Sequence, residues 1–300
     1  MQRIRIALAL LLAASVSLAE DLLTASGARL ADFRVTFHAD RVQRDSHEAL
    51  VKSYHTLARN QAAVAGRFRE LFRREHLAVL KRYYDARLAA AQGELYTQAR
   101  TREAERANRP FLSEIKTDKF SEGYRIVAIL DRIRGKAVAR KLGIPRKLPA
   151  TDWPNTAIAE PDAATPEGTL GLLQRDMRAL RAARVKARAA FDAVFFEIVG
   201  TFYGADRAKK AAKEQATAPA QTPPIFKLLD LADSGAAARY QLDILERVPG
   251  GDQLSAIGAM SFELARQGEH WRVVRERQRR TPKGEFEDMK RNFGLIFLLR

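Results

Sequence analysis

The chain has 300 residues, 46% of them hydrophobic, and a formal net charge of +16. That is enough apolar material to bury a core in one large domain or two ordinary ones, so composition excludes a disordered chain. The absence of cysteine excludes disulfides, thiolate nucleophiles, iron–sulfur clusters and Cys-ligated zinc.

The N-terminus has three parts. Arg3 and Arg5 form a basic region, Ile6 to Ala14 is uninterrupted apolar sequence, and Ser17-Leu18-Ala19 places small residues just before Glu20-Asp21. This is the pattern of a secretory signal, with cleavage predicted between Ala19 and Glu20; the alternative is a buried or uncleaved N-terminal helix. The apolar run is shorter than the roughly 20 residues that span a bilayer. Removing residues 1–19 lowers the charge to +14. A cysteine-free chain suits an oxidising compartment, so the sequence predicts a periplasmic or secreted protein. Only 14 of its 52 basic residues are lysine. A charge of this size favours polyanions, but acids interleave most of the basic runs, which favours solvated helix faces instead.

From Asp21 to Arg109 no proline occurs, and Ala, Leu, Arg and Gln dominate, which predicts helix. Leu50, Tyr54, Leu57, Gln61, Val64, Phe68 and Leu71 form a heptad seam. After Arg73-Arg74-Glu75 the stripe changes phase to Leu77, Leu80, Tyr84, Leu88, Ala91 and Leu95. The segment is therefore either one long bent helix or a helical hairpin turning near Arg73–His76. A shorter helix is expected over 121–142, with Tyr124, Val127, Ile129, Leu130 and Ile133 as its apolar content and Gly143 and Pro145 as its stop. Proline density from Pro145 to Pro166 marks a linker or strap containing Trp153.

Thr165-Pro166-Glu167 starts another helix, with Leu173, Met177, Leu180, Arg184, Ala187, Phe191, Val194 and Ile198 along one stripe. Between Phe191 and Tyr203 it turns apolar nearly all round, which predicts central burial. Residues 216–224 read as a second linker. Beyond Pro224 the period shifts toward two: Tyr240, Leu242 and Ile244, then Met260, Phe262 and Leu264, then Trp271 and Val273. Turns at Pro249–Asp252 and Arg266–Glu269 make this an antiparallel sheet, and residues 285–300 read as a final helix. The predicted organisation is a signal at 1–19, a helical domain at 20–144, a Pro-rich linker at 145–166, and a long helix with sheet and C-terminal helix at 167–300. The fold class is mainly α with a smaller α+β C-terminal part, a long-helix bundle or coiled-coil-like packing plus a short antiparallel sheet.

TPEGTL at 165–170 and MSFELARQGEHWRVV at 260–274 give the region from about 165 to 280 a resemblance to ketosteroid-isomerase-like (SnoaL-like) α+β cone domains. The resemblance implies a curved sheet closed by a hairpin. It assigns no catalytic residue, because such folds host enzymes, binders and inert scaffolds alike. A ligand pocket would then be lined by Tyr240, Phe262 and Trp271.

Motifs for chemistry are absent: no Gly-x-Ser-x-Gly, no Walker loop, no Gly-x-Gly-x-x-Gly. Of the five histidines, His47 and His55 are eight apart and about 80° out of register on a helix. His76 has no metal-motif companion, so no metal, cofactor or catalytic residue is expected. A strip at 272–280 places Arg275, Arg277 and Arg279 on one side of a strand, with Arg280 beside them and Trp271 nearby. It would grip phosphates or carboxylates, or else deter edge pairing. The sequence favours an exported, non-catalytic binding, scaffolding or assembly protein. Its alternatives are a ligand-binding or enzymatic cone domain and a polyanion- or nucleic-acid-binding protein. The partners considered are another envelope protein, an anionic polymer, an anionic membrane surface, or a second copy joined through the heptad seams. Expressed in a bacterium, the protein should be recovered outside the cytoplasm starting at Glu20; mass spectrometry showing residues 1–19 intact on a cytoplasmic species would exclude export.

Overall fold

The computed structural model describes residues 22–23, 27–108, 111–133, 164–217, 225–233, 236–248 and 253–288. The signal, the Pro-rich strap with Trp153, the Pro249–Asp252 turn and the C-terminal run from 289 onward lie outside them. The described elements are α1 (His47–Tyr83), α2 (Ala86–Asn108), β1 (Phe111–Phe120), β2 (Gly123–Ile133), α3 (Pro166–Asp192), α4 (Phe195–Tyr203), α5 (Ala205–Thr217), β3 (Ile225–Asp233), β4 (Ala237–Arg247), β5 (Leu254–Gln267), β6 (His270–Arg279) and β7 (Glu287–Asp288). The class is mixed α+β. The chain divides into two units: Met1–Leu71, Ala99–Asn155 and Ala183–Ala218 form the first; Phe72–Gln98, Thr156–Ala182 and Pro219–Arg300 form the second.

In the first unit, Ser46 starts α1: its hydroxyl accepts from the Ala49 amide at 3.1 Å, supplying one of the acceptors a helix N-terminus lacks. The seam residues Leu50, Leu57, Val64 and Leu71 are all buried. Leu50 and Leu57 pack with Val35, Ile115, Ile126, Ile198 and Phe202 in one core. Ile115 and Ile126 come from the β1–β2 hairpin, which replaces the helix expected over residues 121–142. The reason is a bulge between Lys116 and Thr117. Tyr124 and Ile126 face the core before it, Ile129 joins them after it, and Val127 is left exposed. One extra residue thus breaks the alternation that would otherwise mark a strand. Gly123 closes the turn at φ 105°, where a Cβ would lie 2.5 Å from the Arg44 carbonyl oxygen. Arg44 in turn accepts from the Tyr124 amide at 2.8 Å.

The stripe leading out of α3 is also corrected. Helix α3 ends at Asp192, and α4 begins at Phe195 with Val194 as its cap. Ala187 is buried as expected, but Ala183 and Ala190 join it in place of Arg184, which is exposed. Ile198, Val199 and Phe202 carry α4's burial, whereas Phe195 and Phe196 stay exposed in edge-to-face contact. The run from Phe191 to Tyr203 is therefore one-sided, not central.

In the second unit, α1 continues past residues 73–76 without a turn and ends only at Tyr83. The chain bends at Tyr84-Asp85, and α2 restarts on its own cap: Asp85 Oδ1 accepts from the Leu88 amide at 2.7 Å. Restarting resets the phase, so Ala89 and Gln92 are buried and Ala91 is exposed. Thr165 caps α3 as the sequence predicts, its hydroxyl accepting from the Gly168 amide at 3.1 Å. Strands β3-β4-β5-β6-β7 form one antiparallel sheet in chain order. Tyr240, Leu242, Met260, Phe262, Leu264 and Val273 pack against Leu80, Tyr83, Leu173 and Met177 from the helices. The turn at Gly268 takes φ 65°. Glu287–Asp288, expected in a terminal helix, instead pair with Gln278 and Arg277 as the edge strand.

Candidate functional site

The three residues expected to line a pocket do lie together, but as packed core. Tyr240 and Phe262 are direct cross-strand partners, and both are buried with Trp271. The Tyr240 hydroxyl donates to Glu167 Oε1 at 2.8 Å.

Two more tyrosine–carboxylate bonds belong to the same unit. Tyr84 donates to Glu276 Oε2 at 2.9 Å, and both residues are buried. Burial, then the adjacent Glu276 charge, pushes the Tyr84 phenol well above its usual range. Tyr83 donates to Asp176 Oδ2 at 2.6 Å, and Arg82 donates to the same oxygen at 2.8 Å. Burial alone would raise the Asp176 carboxyl; the bonds from Tyr83, Arg175 and Arg82 outweigh it and hold the group below its ordinary value. One bond joins two helices, one joins a helix to the sheet and one joins the α1–α2 junction to the sheet, so these acids act as ties.

The arginine strip lies opposite the core. A second bulge, between Glu263 and Leu264 on the β5 side, leaves Val274 without a cross-strand partner. Trp271 and Val273 enter the core before it, and Glu276 does so after it. Arg275, Arg277 and Arg279 take the other face, so Trp271 is not beside them. There Arg275 binds Asp288 through two bonds of 2.7 and 2.8 Å, and Arg277 reaches Glu263 at 2.8 Å. Arg239 joins Glu263 at 3.4 Å and Arg279 approaches Asp243 at 3.8 Å. Arg279 also stacks over Phe286, while Arg280 is exposed. Three of the four guanidiniums are thus already met by carboxylates.

The first unit holds an open cleft of about 450 Å³ that the sequence did not reveal. Its floor is apolar: Phe37, Val42, Leu57 and Phe202. Its rim carries Arg41, Lys52 and His38 with Thr36, Gln43, Ser53, Thr56 and Asn60. Several rim groups are fixed. Ser53 Oγ accepts from the Gln43 amide at 3.2 Å, and Asn60 Nδ2 donates to the Thr36 carbonyl at 2.7 Å. Thr56 Oγ1 donates to the Lys52 carbonyl at 2.9 Å. Among the described residues no acid lines the cleft, and no carboxylate lies within 4.0 Å of Arg41 or Lys52. The cleft was missed because half of it is loop. The helical half, residues 52, 53, 56 and 60, looks in sequence like an ordinary solvated face.

The histidines divide by burial. His47 Nδ1 bonds Thr117 Oγ1 at 2.7 Å, and His38 stands on the cleft rim. His76 is buried against Tyr96 in the second unit, its Nδ1 bonded to the Tyr96 hydroxyl. Burial drives the His76 imidazole down to about 4 and the Tyr96 phenol up to about 12. Among the described residues no group of three or more metal-binding side chains is assembled. Comparison with known proteins finds no matching family model, no similar curated protein and no similar solved structure.

The His76 shift has a definite sign. The folded value lies below the ordinary 6.5, so the unfolded chain takes the proton first as pH falls. The stability due to the neutral imidazole is complete above 6.5 and is lost between 6.5 and about 4, up to roughly 3 kcal/mol in all. Urea titrations from pH 7 to 4 should show the parent losing stability relative to His76→Gln; a parent–variant difference constant across that range would contradict a buried neutral His76.

Proposed function

We propose that the protein is an exported, non-catalytic binding protein whose binding surface is the cleft in its first unit. The cleft carries this reading: it joins an apolar floor to a rim of hydrogen-bonding groups held in place on α1 and the preceding loop. Small-ligand sites have this construction, and their volumes run from about 300 to 1,000 Å³. Rigid support lowers the ordering cost of binding, since Ser53, Thr56 and Asn60 are already committed to backbone partners. The non-catalytic part of the reading is supported by the carboxylates of the second unit, which are engaged by tyrosines and arginines as internal ties. Export is supported by the tripartite N-terminus.

A polyanion-binding role for Arg275, Arg277, Arg279 and Arg280 is a second reading, favoured by three of them sharing one sheet face. Glu263, Asp243 and Asp288 compete for the same guanidiniums, which ranks it below the cleft. The likeness of residues 165–280 to a cone domain rests on the sequence motifs alone. It adds no activity.

A bound ligand raises the melting temperature of the state that binds it. Compounds from a small-molecule library that stabilise the mature parent should leave Thr56→Trp, which fills the cleft from an exposed rim position, unshifted. Equal stabilisation of both proteins by every hit would place the binding surface elsewhere.

A further inference from the structure

We infer that the cleft takes a small organic carboxylate with an apolar body. The inference rests on the reading of the cleft as the binding surface and specifies its ligand.

Charge is the first consideration. Every charged or chargeable side chain on the rim is basic: Arg41, Lys52 and His38. Arg41 and Lys52 have no carboxylate partner among the described residues, whereas several other arginines of the first unit are each held by an acid. Arg100 is clamped on Glu70, Arg69 on Glu103 and Arg188 on Asp192. Two cations with no carboxylate partner among the described residues, beside a concave surface, attract an anion and repel a cation. A guanidinium and an ammonium on one rim can divide the two oxygens of a carboxylate, the guanidinium by its fork and the ammonium as a point charge.

The floor sets the rest of the ligand. Leu57 and Phe202 are buried core residues with a face toward the cleft, and Phe37 and Val42 complete the apolar surface. An inorganic anion would leave that surface wet. A hydrocarbon or aromatic body would cover it, and apolar burial is the main favourable term in such sites. The fixed hydroxyl of Ser53 remains able to donate, because its oxygen is the acceptor of the Gln43 amide. It can therefore point a proton at an anion without surrendering its structural bond.

The experiment uses the mature protein at pH 7 with three probes of one chain length: octanoate, octanamide and octylamine. Binding is followed by calorimetry and by amide chemical shifts. Octanoate should perturb the amides of Gln43, Ser53 and Phe202, and should bind at least about tenfold more tightly than octanamide. Octylamine should not bind there. The double variant Arg41→Gln/Lys52→Gln, changed only at exposed positions, should lose about tenfold in octanoate affinity while octanamide moves less than about twofold. Octanamide or octylamine binding in the cleft as tightly as octanoate would overturn the carboxylate assignment and leave the cleft standing as the binding surface. Octanoate bound with no perturbation of cleft amides, or no cleft perturbation by any of the probes, would overturn both.

Discussion

The second unit depends on how a long helix is stopped. Helix α1 ends at Tyr83, and the next two residues are fastened to strand β6. The Asp85 amide donates to the Val273 carbonyl at 3.0 Å, and Tyr84 forms a parallel bridge with Val273. Arg272 donates to the Arg82 carbonyl, and to that of Lys81 at 3.3 Å, so a cation covers the negative end of the helix. Tyr83 and Tyr84 then send their hydroxyls to Asp176 and Glu276. Glu276 is a buried carboxylate, which costs several kcal/mol unless hydrogen-bonded. Tyr84 in this register supplies such a bond. The junction also sets the register of α2, since Asp85 caps that helix, and it fills the inner face of the sheet with Tyr83 and Tyr84.

The same junction bears on function. Acids bonded to buried tyrosines would ordinarily suggest acid–base chemistry. Here the three pairs join elements distant in sequence and sit within or beside continuous core packing, which is the position of a structural tie. On the outer sheet face the arginines are matched by acids. The cleft of the first unit differs in both respects, being concave and carrying two cations with no carboxylate partner among the described residues.

Much of this fold was legible as periodicity. The α1 seam from Leu50 to Leu71, the Thr165 cap of α3 and the alternation in β4 and β5 each follow from side-chain spacing alone. What was illegible came from single residues that shift a period. The bulge at Lys116/Thr117 hid the hairpin, and the bulge opposite Glu263/Leu264 separated Trp271 from Arg275, Arg277 and Arg279. The break at Tyr84-Asp85 contains neither Gly nor Pro, so nothing local announces it; it is held by β6, nearly 190 residues away. The cleft was illegible for another reason: its residues come from a loop, one polar helix face and Phe202, which only folding brings together.

The central claim is that the tyrosine-bonded carboxylates are ties, and a double-mutant cycle on Tyr84 and Glu276, the fully buried pair, tests it most directly. Urea unfolding of the parent, Tyr84→Phe, Glu276→Gln and the double variant isolates their coupling. A hydrogen bond to a buried carboxylate predicts a coupling energy of about 1.5–3 kcal/mol, with each single variant destabilised. A coupling below about 0.5 kcal/mol, or a Glu276→Gln variant more stable than the parent, would contradict the account and return Glu276 to the pool of acids available for chemistry.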